Sequence, residues 1–356
     1  MPPRRTRTAT VTLLTAALLI LGGAFAASGS DDSGTPFTTP VGAATVDTSA
    51  NTPHAVGVRH LTFARGKDRP LPTTVWYPVR GSARQTRGRV QVDATPLPGE
   101  FPLILWSHGF YSNPQMQEGM TKFLAESGYI VAAPAYPFTK KDGPKFDKTD
   151  VPNQALDASF VITQLMKAGG PLADNIDADR LGAIGHSGGG TTTDWLFTGK
   201  RDPRLKVGVI FAGRPTTAYK GAPVPMLFVH GDKDPVVAYS QGRESYGKDP
   251  WPKAFLTIEG GEHGAGTNDP ERGHVQVLAT LLDFLDFALN GDDVARMRLT
   301  SDATLPGYTH FESSGIHTDS SAQPSATNST SAAATTTATP TPAQSKVLDL
   351  AGSSTG

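Results

Sequence analysis

The sequence predicts an α/β fold in a single domain: a mainly parallel, doubly wound sheet with an antiparallel start on its N-terminal side. Three observations predict it. From residue 101 to residue 258 the apolar runs are short and nearly continuous, as in Leu103-Ile104-Leu105-Trp106, which is how strands read when both faces of a sheet are covered. These runs alternate with longer segments of helical periodicity. Ahead of them, residues 56–63 alternate roughly and residues 73–77 follow Pro72, the pattern of an antiparallel pair.

Taken in order, residues 1–27 combine Arg4, Arg5 and Arg7, an apolar stretch over 11–27 and the small-x-small site Ala24-Phe25-Ala26, the pattern of a secretory signal. An uncleaved membrane anchor is the competing reading, for which the stretch is slightly short. Residues 28–53 are Ser/Thr/Gly/Ala/Asp-rich and read as a linker or N-terminal arm. The domain then spans 54–311. After the opening pair come a strand at 101–106 and a helix at 115–126 that Gly128 stops. A strand at 129–133 precedes a helix at 154–167, with Asn153 as N-cap and Gly169-Gly170-Pro171 as its stop. Strands follow at 181–184, 207–211, 226–229 and 254–258, and an amphipathic helix at 274–289 closes the domain. Residues 312–356 are Ser/Thr/Ala/Pro-rich, bury no core and are expected to be a disordered tail.

Charged residues make up 18% of the 356, with a formal net charge of −1 and no basic cluster outside the N-terminus, so neither nucleic acid nor an anionic membrane surface is an expected partner. There is no cysteine, which removes disulfides, thiolate metal sites and lipoprotein attachment. A secreted chain of this size is then held by its core, and a monomer is expected.

In a doubly wound sheet, chemistry gathers at the carboxyl ends of the strands. The 181–184 strand runs into Gly185-His186-Ser187-Gly188-Gly189, a G-x-S-x-G nucleophile elbow: the serine sits on a sharp strand-to-helix turn, and glycines two residues away on each side let the chain pass. After the 101–106 strand comes Ser107-His108-Gly109-Phe110-Tyr111, so the oxyanion donors are expected to be the backbone amides of Gly188 and Phe110, with His108 a structural hydrogen-bonder. After the 226–229 strand comes His230-Gly231-Asp232-Lys233-Asp234-Pro235-Val236-Val237; Asp234, past the turn, is favoured as the triad acid, and Asp232 as the turn's cap. After the 254–258 strand, Gly260-Gly261-Glu262-His263-Gly264 places His263 as general base and acid. The order Ser187, Asp234, His263 needs no metal or cofactor. Phe110, Tyr111 and Tyr136 are the expected substrate-binding side chains, with Phe138 beside them. Residues 136–152 are expected to edge the cleft, Lys140, Lys141, Lys145 and Lys148 to form a solvated face, and Trp195 to lie under the elbow helix.

On these residues the chain resembles the α/β-hydrolases over about residues 56–289. It is similar to secreted bacterial esterases and lipases near the platelet-activating-factor acetylhydrolase, dienelactone hydrolase and cutinase-like polyester hydrolase groups. The resemblance implies an α/β-hydrolase fold and a carboxylic ester hydrolase acting on a small-molecule, lipid or polyester ester. Two departures stand out. Dienelactone hydrolases use a cysteine nucleophile, absent here. Cutinase-like enzymes carry Met after the serine, Trp after the next strand and a disulfide, where this chain has Gly188, Ala212-Gly213-Arg214-Pro215 and no cysteine. Gly188 is expected to widen the pocket by the oxyanion. The alternatives are a serine peptidase or amidase on the same fold and a non-catalytic cell-surface binding protein.

Overall fold

The computed structural model of the protein describes residues 52–267 and 273–318. The expected signal at 1–27, nearly all of the 28–53 arm and residues 319–356 of the expected tail lie outside the described residues. Among the described residues no helix is long and apolar enough to cross a membrane.

One ten-stranded sheet organises the described chain. Its opening strands, β1 (His54–Ala64) and β2 (Pro70–Ser82), pair antiparallel, as expected, and are longer than their apolar cores because the pairing continues into polar ends. A short strand β3 (Gln91–Val92) lies outside β1. β4 (Phe101–Ser107), β5 (Ile130–Pro134), β6 (Ile176–His186), β7 (Leu205–Phe211), β8 (Met226–Gly231) and β9 (Lys253–Ile258) form the parallel body. β10 (Thr309–Ser314) adds antiparallel to β9. The order across the sheet is β10-β9-β8-β7-β6-β4-β5-β2-β1-β3. From β4 the chain goes to β5 on one side and returns to β6 on the other, so the crevice outside the carboxyl ends of β4 and β6 is a topological switch point, where α/β sheets bind ligands.

Alternation along each strand divides the core between the two faces. On β4, Ile104 and Trp106 join Leu124, Ile184, Val209 and Leu281, whereas Leu103 and Leu105 join Val161, Leu181, Leu196 and Phe228. The first face is covered by α2 (Glu118–Glu126) and α6 (His274–Leu285), the second by α3 (Val151–Leu165) and α4 (Gly188–Phe197). Besides these the chain forms α1 (Ala83–Thr86), α5 (Tyr239–Lys248) and α7 (Asp293–Ala303).

Three details differ from the sequence reading. The expected helix at 115–126 opens as a 3-10 turn, Pro114–Gln117, capped by the Asn113 side chain on the Met116 amide. α3 starts at Val151, with Asp150 rather than Asn153 in the cap position; Asn153 lies inside the first turn and donates its Nδ2–H to Asp150 Oδ1 at 3.1 Å. Pro152 explains the earlier start, since its fixed φ suits the first turn. β10 runs past residue 311, and Ile316 beyond it is buried, so the folded unit extends into the first residues assigned to the tail.

Candidate active site

Ser187 stands between β6 and α4 at φ 57° and ψ −120°, a conformation that L-residues rarely adopt. The surroundings hold it there: its amide donates to the Phe211 carbonyl at 2.8 Å, and its own carbonyl takes the Thr191 amide at 3.0 Å. The neighbours must be glycine, because a Cβ on Gly189 would run into the Ser107 carbonyl and one on Gly185 into the Gly189 carbonyl.

Three strand ends bring the predicted residues together. His263, in the turn after β9, places Nε2 2.8 Å from Ser187 Oγ. Its Nδ1 lies 2.7 Å from Oδ2 of Asp234, in the turn after β8. Asp234 Oδ1 accepts the amides of Val236 at 2.8 Å and Val237 at 2.9 Å, which leaves Oδ2 for the imidazole. Burial pushes this carboxyl up, but hydrogen bonds from His263 and the Val237 and Val236 amides outweigh burial and hold it below the ordinary carboxylate value. It therefore stays charged opposite His263.

A second imidazole, which the sequence marks only as part of the turn after the 226–229 strand, reaches the same carboxylate. His230, near the end of β8, directs Nε2 between Asp234 Oδ2 at 3.1 Å and the Val237 carbonyl at 2.9 Å. Burial lowers its pKa and keeps the ring neutral, with Nε2 carrying the hydrogen that both oxygens accept. Asp232 ties the two turns together: its Oδ1 accepts the Gly260 amide at 2.7 Å.

The turn after β4 approaches the serine closely, a Cβ on Gly109 lying 3.2 Å from Ser187 Cβ. His108 braces this turn. The Tyr136 amide donates to His108 Nε2 at 3.0 Å, so Nδ1 carries the hydrogen and donates to the Gly109 carbonyl at 2.8 Å. Burial pushes the His108 pKa down to about 4, in keeping with a neutral ring. The Gly188 amide opens α4, where no intrahelical acceptor exists, and no backbone acceptor is found for the Phe110 amide among the described residues. The room that Gly188 was expected to leave is taken by the Phe110 ring, whose Cδ1 lies 2.5 Å from where a Cβ at 188 would be.

Beside Ser187 opens a cavity of about 600 Å³. Phe110 lines it; Tyr136 and Tyr111, the other two side chains expected to bind substrate, do not. Tyr136 is fully buried beneath the cleft, its hydroxyl 2.8 Å from Ser107 Oγ. Tyr111 is 62% exposed and stacks on Phe146, with ring centres 4.2 Å apart, outside the lining. Phe138 lies under the Arg69 guanidinium instead. Residues 136–152 do edge the cleft, through Lys148, Thr149, Val151 and Pro152. Lys148 is thus a cleft residue as well as a solvated one. Trp195 also lines the cavity rather than lying under α4. The spacing explains it: residues 188, 191 and 195 fall on one helical stripe, and all three face the cavity.

The comparisons fit this architecture. A search of curated proteins finds no match. Among 1005 solved chains that match is a ferulic acid esterase from Streptomyces cinnamoneus, with TM-score 0.54 and 22% identity over 68% of this chain and 92% of that one. At that identity, and with so many structures sharing the architecture, the match establishes the α/β-hydrolase fold and no substrate. The family model described as "PETase: PET hydrolase-like" matches residues 75–287, which include all three strand-end residues of the hydrogen-bonded line. The chain belongs to this PET hydrolase-like family of α/β-hydrolases and is a carboxylic ester hydrolase.

Proposed function

We propose that the chain is an exported serine esterase working through Ser187, His263 and Asp234. The observation that carries this reading is the unbroken line from Ser187 Oγ through the His263 ring to Asp234 Oδ2, at 2.8 and 2.7 Å, opening on the cavity. The export part rests on the signal-like pattern of residues 1–27.

Ser187 Oγ bonds to the ester carbonyl carbon as its proton passes to His263 Nε2. The carbonyl oxygen takes the negative charge, and the Gly188 and Phe110 amides donate to it; one such donor is typically worth about 3 kcal/mol. The C–O bond to the alcohol then breaks, and the leaving oxygen takes the proton from His263. Water gives a proton to His263 and bonds to the same carbon. The bond to Oγ breaks, Ser187 recovers its proton, and the acid departs. Asp234 keeps the ring oriented and offsets its transient positive charge. The substrate is an ester of a small molecule, a lipid or, as the family's name suggests, a polyester chain.

An ester panel of rising acyl length, run on the chain beginning after residue 27, tests the reading. Ser187→Ala should fold normally and lose nearly all turnover. Retained turnover would remove Ser187 as the nucleophile.

A further inference from the structure

The charge of the cavity has no counterpart in the mechanism above. Among the described residues its lining holds two cationic side chains, Lys148 and Arg214, and no acid. They come from different elements on separate stretches of the chain: Lys148 from the turn before α3, Arg214 from the segment after β7. The rest of the lining includes aromatic and aliphatic side chains, Phe110, Trp195, Val151 and Val236 among them.

Neither cation is neutralised. Among the described residues neither lies within ion-pair distance of a carboxylate. Of the acids beside Lys148 in sequence, Asp147 turns Oδ1 to the Thr149 amide and hydroxyl, and Asp150 pairs with Arg69. The Asp234 carboxylate does not line the cavity and is turned towards its two imidazoles. Arg214, in contrast, is oriented. Its amide donates to Thr191 Oγ1 at 3.1 Å, Nη2 donates to the Val236 carbonyl at 3.1 Å, and Nη1 donates to Gln241 Oε1. These acceptors carry no charge, and they leave guanidinium N–H groups over. A cleft lined by one sign of charge between apolar walls concentrates its field and attracts the opposite sign. A guanidinium held in place suits a planar carboxylate above other anions.

We propose that the ester taken by this site carries a carboxylate on the part held in the cavity, so that half-esters of dicarboxylic acids are preferred over neutral esters of the same shape. The proposal rests on the esterase reading of the same site.

The test compares two esters of nearly the same shape, one anionic and one neutral: ethyl 4-carboxybenzoate and ethyl 4-carbamoylbenzoate, with 4-nitrophenyl acetate as a neutral reporter of the triad. The ratio of kcat/KM between the first two is the readout, because it does not depend on the fraction of active protein. The native chain should favour the carboxylate by about fivefold or more at low ionic strength, and added salt should shrink the ratio. Arg214→Gln and Lys148→Gln should each lower the ratio, and Arg214→Glu should invert it. Turnover of the nitrophenyl ester with a ratio of one or below in the native chain would overturn the anion proposal and leave the esterase reading standing. Absence of turnover on all three esters would overturn both.

Discussion

Asp234 receives more donors than a single catalytic imidazole supplies: two amides on Oδ1, and the His263 and His230 rings on Oδ2. On the proposed mechanism the carboxylate is thereby fixed in the plane that His263 needs, and His230 acts as a positioning residue rather than a catalytic one. Losing one hydrogen bond to a buried charged group costs about 1.5–3 kcal/mol. His230→Leu should therefore lower kcat roughly tenfold or more with little change in KM, and His230→Gln, which keeps an N–H donor, should recover part of it. A parallel fall in KM and kcat, or none, would place His230 outside the site's geometry. At this scale the sequence was informative where a motif forced the backbone. Ser187 was legible because only small residues tolerate the contacts made at 185 and 189. Asp234 and His263 were legible as polar residues just past strand ends. Tyr136 also follows a strand end, yet it turns inward to Ser107 at the end of the neighbouring strand β4, a partner 29 residues earlier that no local pattern marks.

The cleft wall made by α3 depends on a contact across the chain. Arg69, in the turn before β2, reaches Asp150 with Nη1 and Nη2 at 2.8 Å each, and Asp157 with Nε at 2.9 Å. Arg65 adds a bond to Asp157 Oδ1 at 2.6 Å. Both acids are buried, so they need these cations. Arg69→Met would strand Asp150 and leave Asp157 with Arg65 alone; removing one partner of a buried pair costs about 3–5 kcal/mol. The expected result is a clear fall in Tm. Because Val151 and Pro152 line the cavity at the start of this helix, KM should rise as well. The same network explains why the start of α3 was placed too late from sequence. Asn153 is a good N-cap type, but the true boundary is set by Pro152 and by an arginine some eighty residues earlier in the chain. The parallel strands and the closing helix were readable, since apolar runs and periodicity are local. α5 was not, because only Gly242 and Ser245 of it are buried, which leaves little apolar periodicity to detect.

For the whole molecule, the sheet is closed at one edge by β10, a strand whose sequence, Thr-His-Phe-Glu-Ser-Ser, has little apolar signal and was missed. It covers β9, which leads into the His263 turn. A chain ending at residue 308 should melt lower than one ending at 318 and lose activity alongside, since the β9 edge is then unpaired. Stability should also depend on pH in a definite sense. Burial raises Asp249 to about 7, Asp194 to about 6 and Asp283 to about 6. Each binds its proton more tightly folded than unfolded, so each favours the fold while protonated, and that preference is lost as pH rises from the unfolded carboxyl value through the folded one. Among the described residues no partner is found for the buried Asp249 Oδ2, while Oδ1 accepts the Trp251 amide at 2.9 Å, a bond that an asparagine oxygen can keep. Asp249→Asn should raise Tm by a few degrees at about pH 8 and change it little at about pH 4. An equal shift at both values would show that the carboxyl is not titrating in this window.

On the proposed mechanism one hydroxyl is activated by one imidazole held on one carboxylate. Treating the folded chain with a fluorophosphonate and mapping the adduct by peptide mass spectrometry tests it most directly. A single labelled peptide, carrying Ser187, is expected, with loss of that label in both Ser187→Ala and His263→Ala. A label on another serine, or an unlabelled Ser187 in the folded native chain, would contradict it.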